Sequence, residues 1–183
     1  MLGSFPPQKK RWCKDFEFYY PNFTNDMWRV FGLVFFNDAL HFIDSEKKTY
    51  KRDVIIDFLH QKGIAIYDTA CAIRRLNDNA SDKFLEVVEQ TDIEALLEQM
   101  PQCTSIVTTG QKATDTLCEH FQVEKPKVGS DISTTITLRN GEQRPLRLFR
   151  MPSTSRAYPL SLQRKAEAYA QMFCRIFGDT VVR

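Results

Sequence analysis

The chain has 183 residues, 43% of them hydrophobic and 26% charged, a composition that suits a globular protein with one core of its own. Its formal net charge of +2 permits an anionic partner without requiring one, and no apolar run approaches the ~20 residues that span a bilayer. Cys13, Cys71, Cys103, Cys118 and Cys174 are scattered and His41, His60 and His120 lie far apart, spacing that argues against a disulfide framework, an iron–sulfur cluster and a metal site.

Met1 runs directly into Gly3-Ser4-Phe5-Pro6-Pro7 without the pattern of a secretory leader, so a cytoplasmic protein is expected. Gln8 to Phe23 reads as the longest loop and carries Trp12, Phe16, Phe18, Tyr19 and Tyr20. Met27 to Phe36 is apolar throughout and reads as a buried helix, with Asn25 or Asp26 as its N-cap. Lys51 to Lys62 places Val54, Ile55, Phe58 and Leu59 on one helical face, and Gly63 ends it. Ile64 to Tyr67 reads as a short buried strand that stops at Asp68-Thr69. A helix is expected over Asp92 to Met100, capped by Thr91 or Asp92 and closed by Pro101. Ser105 to Thr109 reads as a strand ending in Gly110, and Gln111 to Phe121 as the helix after it. Thr134 to Leu138 and Leu146 to Met151 flank Asn140-Gly141, a hairpin turn signal. Leu160 to Phe177 closes the chain as a helix with Ala166, Tyr169, Ala170, Phe173 and Ile176 inward.

Strands alternate with helices. The expected architecture is therefore a single α/β domain over residues 1–183, a three-layer sandwich with a central, mainly parallel four-stranded sheet and helices on both faces. Such sheets build their sites beyond the C-terminal ends of the strands. Those ends are Ser4-Phe5, Asp68-Thr69, Thr109-Gly110 and Met151-Pro152-Ser153, and the unusual turns of the chain gather there. Charge is uneven as well. Lys9, Lys10, Arg11 and Lys14 cluster early; Arg139, Arg144, Arg147, Arg150, Arg156, Arg164 and Lys165 cluster late; acidic residues concentrate from Asp78 to Glu98.

Five segments stand in a telling order: Gly3 to Pro7, Tyr19 to Trp28, Gly63-Ile64-Ala65-Ile66-Tyr67-Asp68, Thr108-Thr109-Gly110, and Met151-Pro152-Ser153-Thr154-Ser155-Arg156-Ala157. In that order they resemble the motifs of the uracil-DNA glycosylase superfamily, most closely its hypoxanthine-DNA (deoxyinosine) glycosylase and mismatch-specific branch. Asn22, Phe23 and Thr24 stand where that branch has His-Pro-Arg, Pro7 where it has glycine, and Thr108-Thr109 where it has Phe-Asn. The resemblance implies a monomeric, monofunctional DNA glycosylase of base excision repair. It would need no cofactor or metal, would touch no membrane, and would hydrolyse the glycosidic bond of hypoxanthine or uracil in DNA. Two alternatives stay open: a DNA-binding relative without catalysis, and an α/β enzyme of free nucleosides or nucleotides.

A base must leave the duplex to be cut, and then needs a pocket, a reader and phosphate anchors. The resemblance assigns Asn25 to catalysis, positioning a water at the sugar C1′; the same residue suits a helix N-cap. Phe5 and Tyr19 are candidate platforms for the base, as are Phe16, Phe18, Tyr20 and Phe23. Asp68 stands where uracil-specific relatives read the base with Asn; ionised, it accepts a ring N–H, although a cap or turn Asp is equally consistent. Ser4, Gly110, Ser153, Thr154, Ser155 and Arg156 are the candidate DNA-phosphate contacts, with a cap for the closing helix as the other reading of Ser153 to Ser155.

Overall fold

The computed structural model describes residues 1–75 and 85–178; Asp78 and Asp82, from the expected acidic stretch, lie outside the described residues. In chain order the elements are β1 (Leu2–Gly3), a 3₁₀ turn (Lys9–Arg11), α1 (Met27–Phe36), β2 (Ile43–Asp44), β3 (Thr49–Tyr50) and α2 (Arg52–Lys62). There follow β4 (Tyr67–Asp68), β5 (Ala70–Arg75), β6 (Leu85–Gln90), α3 (Ile93–Glu98), β7 (Ser105–Thr109), α4 (Gln111–Phe121), β8 (Ser130–Thr137), β9 (Gln143–Met151) and α5 (Leu162–Phe177). They form two compact units: Met1–Phe5 with Tyr67–Met151, and Pro6–Ile66 with the chain from Pro152 onward.

The first unit holds the sheet, in the order β4-β1-β7-β9-β8. β4, β1, β7 and β9 are parallel, and β8 runs antiparallel on β9. The sheet thus has five strands where four were expected, all four parallel ones bearing out the α/β reading. Ile106 pairs with Leu148, and Leu148 with Ile132. With Leu2, Ile136, Leu138 and Leu146 these side chains meet Ile93 and Leu97 of α3 and Leu117 and Cys118 of α4 in one apolar core. The alternate positions Val107, Phe149 and Met151 are buried too, as the inner strands of a parallel sheet require.

The expected strand over Ile64 to Tyr67 is displaced to Tyr67–Asp68. Gly63 ends α2 in the left-handed region at φ +63°, and the Ile64 amide returns to the Leu59 carbonyl at 2.9 Å, so Ile64 still serves the helix end. Only Leu2 and Gly3 then remain to pair with, against Tyr67 and Asp68. β8 and β9 are both longer than expected, and Asn140-Gly141 makes the turn between them, with Gly141 at φ +81° and Leu138 N–H donating to the Glu142 carbonyl at 3.0 Å. The β5–β6 hairpin is a separate two-stranded sheet that the sequence reading did not anticipate.

The second unit packs α1, α2, α5 and the small β2–β3 hairpin around aromatic rings. Phe35 lies 4.8 Å from Phe173 and 4.9 Å from Phe58, and Phe31 lies 5.4 Å from Phe173, between ring centroids. Ala166, Tyr169 and Phe173 are buried on α5 as expected, and Met172 joins them. At the end of α1, Asn37 turns left-handed at φ 53° and the chain folds back over Gly32. A Cβ on Gly32 would sit 2.3 Å from the Asp38 backbone oxygen. Gly32→Ala should therefore destabilise the protein by about 1–3 kcal/mol despite its better helix propensity; a urea midpoint at or above that of the wild type would contradict this close approach.

Candidate functional site

Within the first unit, three candidate segments meet at one edge of the sheet. Asp68 pairs directly opposite Gly3, and Ser4-Phe5 continue from there. Thr109 pairs with Met151 on the other side of β7 and is followed by Gly110. Thr69 stitches this edge, its amide donating to the Gly3 carbonyl at 2.8 Å and its hydroxyl to the Ser4 carbonyl at 3.5 Å. Thr91 donates its hydroxyl to the Asp68 carbonyl at 2.6 Å, and the Thr109 hydroxyl reaches the Leu2 carbonyl at 3.3 Å. β1 has β4 on one side and β7, then β9, on the other, so the order of the parallel strands reverses direction between β1 and β7. A doubly wound sheet opens its ligand crevice at such a reversal, and Ser4, Phe5 and Gly110 stand at the ends of those two strands.

No helix begins at Asp68, since β5 follows within two residues; the helix-cap reading of Asp68 is thereby removed. Gly110 proves a poorer anion ligand than its place suggested. Its amide donates to the Met151 carbonyl at 3.1 Å, its carbonyl accepts from the Thr114 hydroxyl at 2.8 Å, and it is buried. Its use is conformational, through φ +88°.

The second unit holds the other candidates, and it joins Asn25 to the Pro152–Arg156 turn. Asn25 Oδ1 accepts the Met27 amide at 2.9 Å, so Asn25 rather than Asp26 caps α1. That bond also identifies the carboxamide oxygen and fixes its orientation. The Asn25 carbonyl is held from below, 3.1 Å from Arg29 Nη1 and 3.2 Å from the Tyr50 hydroxyl. Arg29 also donates to the Phe23 carbonyl at 2.8 Å and lies over the Phe23 ring at 4.7 Å. Burial pushes the Tyr50 hydroxyl well above its ordinary pKa, so it remains a donor. Tyr19 is half-buried: its carbonyl accepts from Trp28 Nε1 at 3.2 Å, and its ring meets Phe18 edge-on at 5.2 Å.

The Pro152–Arg156 turn is anchored by its carbonyls. Tyr169, fully buried with its pKa raised by that burial, donates to the Pro152 carbonyl at 3.0 Å. The Asp26 amide takes the Thr154 carbonyl at 2.9 Å, and Lys165 Nζ takes that of Ser155 at 2.8 Å. Donors are left over on this segment. Ser153 and Ser155 accept amides through Oγ, from Ser155 at 3.2 Å and Ala157 at 3.3 Å, and keep their O–H groups. The amides of Ser153 and Arg156 have no acceptor among the described residues. The closing helix is capped by Ser161, which accepts from the Arg164 amide at 3.3 Å; Ser153 to Ser155 are therefore not its cap. Thr154 is only 2% exposed, which leaves the outward contacts of the turn to Ser153, Ser155 and Arg156.

Two residues absent from the sequence-based candidates organise this turn. Asp26 is buried, with Oδ2 2.8 Å from Lys165 Nζ and Oδ1 3.4 Å from Arg156 Nε. Lys165 is 1% exposed and lies on the apolar stripe of α5 beside Ala166 and Tyr169. A lysine on a buried stripe signals a buried partner, and that spacing was legible. Lys165 belongs to the late basic cluster in sequence but not on the surface. The rest of that cluster is largely matched. Arg139 pairs with Asp92 at 2.7 Å, Arg144 with Glu142 at 2.7 Å, Arg147 with Asp131 at 2.8 Å and Arg164 with Glu167 at 3.2 Å, while Arg150 bonds Gln111. The early cluster, Lys9, Lys10, Arg11 and Lys14, is exposed.

Among the described residues no three His, Cys, Asp or Glu side chains gather to hold a metal ion, the cysteines are free, and no helix is long and apolar enough to cross a membrane. No protein-family model, curated protein or solved structure matches this chain.

Proposed function

We propose that the chain is a DNA glycosylase that hydrolyses the glycosidic bond of a deaminated base, hypoxanthine or uracil, in DNA. The observation that carries the reading is the second unit's arrangement of Asn25 beside a turn whose carbonyls face buried donors, while Ser153 and Ser155 keep their O–H groups and Arg156 keeps its amide and the Nη groups not used by its Nε bond to Asp26. The exposed Lys9 to Lys14 segment adds positive charge to the same unit. In the first unit, Asp68, Ser4 and Phe5 stand at the strand ends where a doubly wound sheet places its ligand. The order of the five segments supports the family, and with it helices on both faces of the sheet and a protein acting alone in the cytoplasm.

In the reaction, the C1′–N bond breaks with its electron pair leaving on the base, and water adds to C1′ and releases a proton. Asn25 needs no basicity for this. Its Oδ1 has a second lone pair with which to hold the water, and the bond from Met27 keeps the amide from rotating away. Ser153, Ser155 and Arg156 would hold the backbone phosphates.

One observation favours a second reading, DNA binding without catalysis: Asn25 Oδ1 is already in use as a cap. Duplexes carrying a single inosine or uracil, incubated with protein and cleaved in alkali, separate the two. Scission that Asn25→Ala abolishes is expected; tight binding with no scission gives the second reading. Arg156→Ala should weaken duplex binding and reduce the slope of log K against log salt by about 1 while leaving the fold intact. An unfolded Arg156→Ala protein, or an unchanged slope, would remove Arg156 from the phosphate contacts.

A further inference from the structure

Two cations face one buried carboxylate in the second unit, and they are not equivalent. Lys165 Nζ is 2.8 Å from Asp26 Oδ2 at 1% side-chain exposure; Arg156 Nε is 3.4 Å from Oδ1 at 57% exposure. A charge-assisted N–H···O bond closes to about 2.7–2.9 Å, so Lys165 makes the close bond, while Arg156 makes only a longer one through Nε and keeps its two Nη groups for other acceptors. Attraction is also stronger where water is excluded. The three groups sum to one excess positive charge, which resides on the exposed member.

We infer that Lys165, sealed from any ligand, is a positioning residue that neutralises Asp26 and thereby leaves Arg156 free to bind a phosphate group. Removing the lysine charge changes the partition. The buried Asp26 carboxylate then has one cation within reach, and Arg156 turns to it, forming the close ion pair that Lys165 now makes. The turn keeps its sequence and loses its ligand. Taking the anion to be a DNA phosphate rests on the glycosylase reading; the division of charge between Lys165 and Arg156 does not.

The test compares salt slopes of undamaged-duplex binding for the wild type and four variants. Arg156→Ala and Lys165→Met should each lie about 1 below wild type, and adding Arg156→Ala to Lys165→Met should change the slope no further. Asp26→Asn/Lys165→Met, which loses the same contact to Ser155 but demands no cation, should return to the wild-type slope. A wild-type slope for Lys165→Met, or an Asp26→Asn/Lys165→Met protein whose slope stays low, overturns the inference. A second measurement needs no variant. In wild-type protein the NMR signal of Arg156 Nε–H should report fast guanidinium rotation and shift on addition of tripolyphosphate; slow rotation with no response overturns the inference. Tripolyphosphate carries neither base nor sugar, so a response to it stands even if inosine and uracil duplexes are left uncut, a result that would refute the glycosylase reading alone.

Discussion

Lys165→Met should destabilise the protein by about 3 kcal/mol, near the low end of the 3–5 kcal/mol expected when one partner of a buried ion pair is removed. Lys165 is 1% exposed, Asp26 is buried, and their atoms lie 2.8 Å apart. Methionine fills the volume of the lysine stem but leaves the Asp26 carboxylate without its close cation and the Ser155 carbonyl without its donor. The figure falls low because Arg156 is near enough, at 3.4 Å, to move onto Asp26. Asp26→Asn/Lys165→Met should recover most of the loss, since no uncompensated charge is then left buried. Urea denaturation of the three proteins is the check. A single variant as stable as wild type would show that the pair contributes nothing to the fold.

Asn25 should divide into two separable functions. Asn25→Ala removes both the cap on the Met27 amide and the amide that would hold water. The loss should be about 1 kcal/mol of stability and, for a group positioned against the transition state, about 10²–10³-fold in excision rate. Asn25→Ser keeps a capping oxygen and discards the carboxamide. It should melt close to wild type and still lose excision to the same degree. Full excision activity in a stable Asn25→Ser protein would show that Asn25 is a cap and nothing more. Single-turnover assays on an inosine duplex, beside thermal melts of each variant, read the two losses independently.

Much of the scaffold was legible because local signals agreed. β7 shows an apolar run between polar ends, the β8–β9 turn carries Asn140-Gly141, and α5 repeats apolar residues at helical spacing from Ala166 to Phe173. The edges of the sheet were less legible. β4 slipped toward Asp68 because its bounds follow from the two residues of β1 it can pair with. The β5–β6 pair escaped because its residues do not alternate: Arg74 and Arg75 are adjacent, and Glu86 and Glu89 enclose Val87-Val88, so no apolar period of two marks it. The late basic residues misled in the other direction. Arg147 alternates along β9 with Leu146 and Leu148 while Arg144 shares their buried face, and their carboxylates arrive from Asp131 on the neighbouring strand and from Glu142.

Among the candidate residues, the sequence located the turns and the tertiary structure decided which of their groups are free. Thr154 and Gly110 read as open phosphate contacts; packing buries both, and pairing with Met151 takes the Gly110 amide. Asp26 and Lys165 stand 139 positions apart, and nothing local distinguishes them from solvated charges except that lysine on an apolar stripe. By itself the sequence determined the α/β alternation, the inner face of α5 and that of α2 except for Val54, which is exposed, the main turns and the order of the five motifs, because propensity, periodicity and turn chemistry act over a few residues. Strand order, the reversal between β1 and β7, and the pairing of Asp26 with Lys165 were decided only in the folded chain. A buried charge must find its partner wherever packing brings one, and that choice depends on three-dimensional neighbours, which no short stretch of sequence encodes.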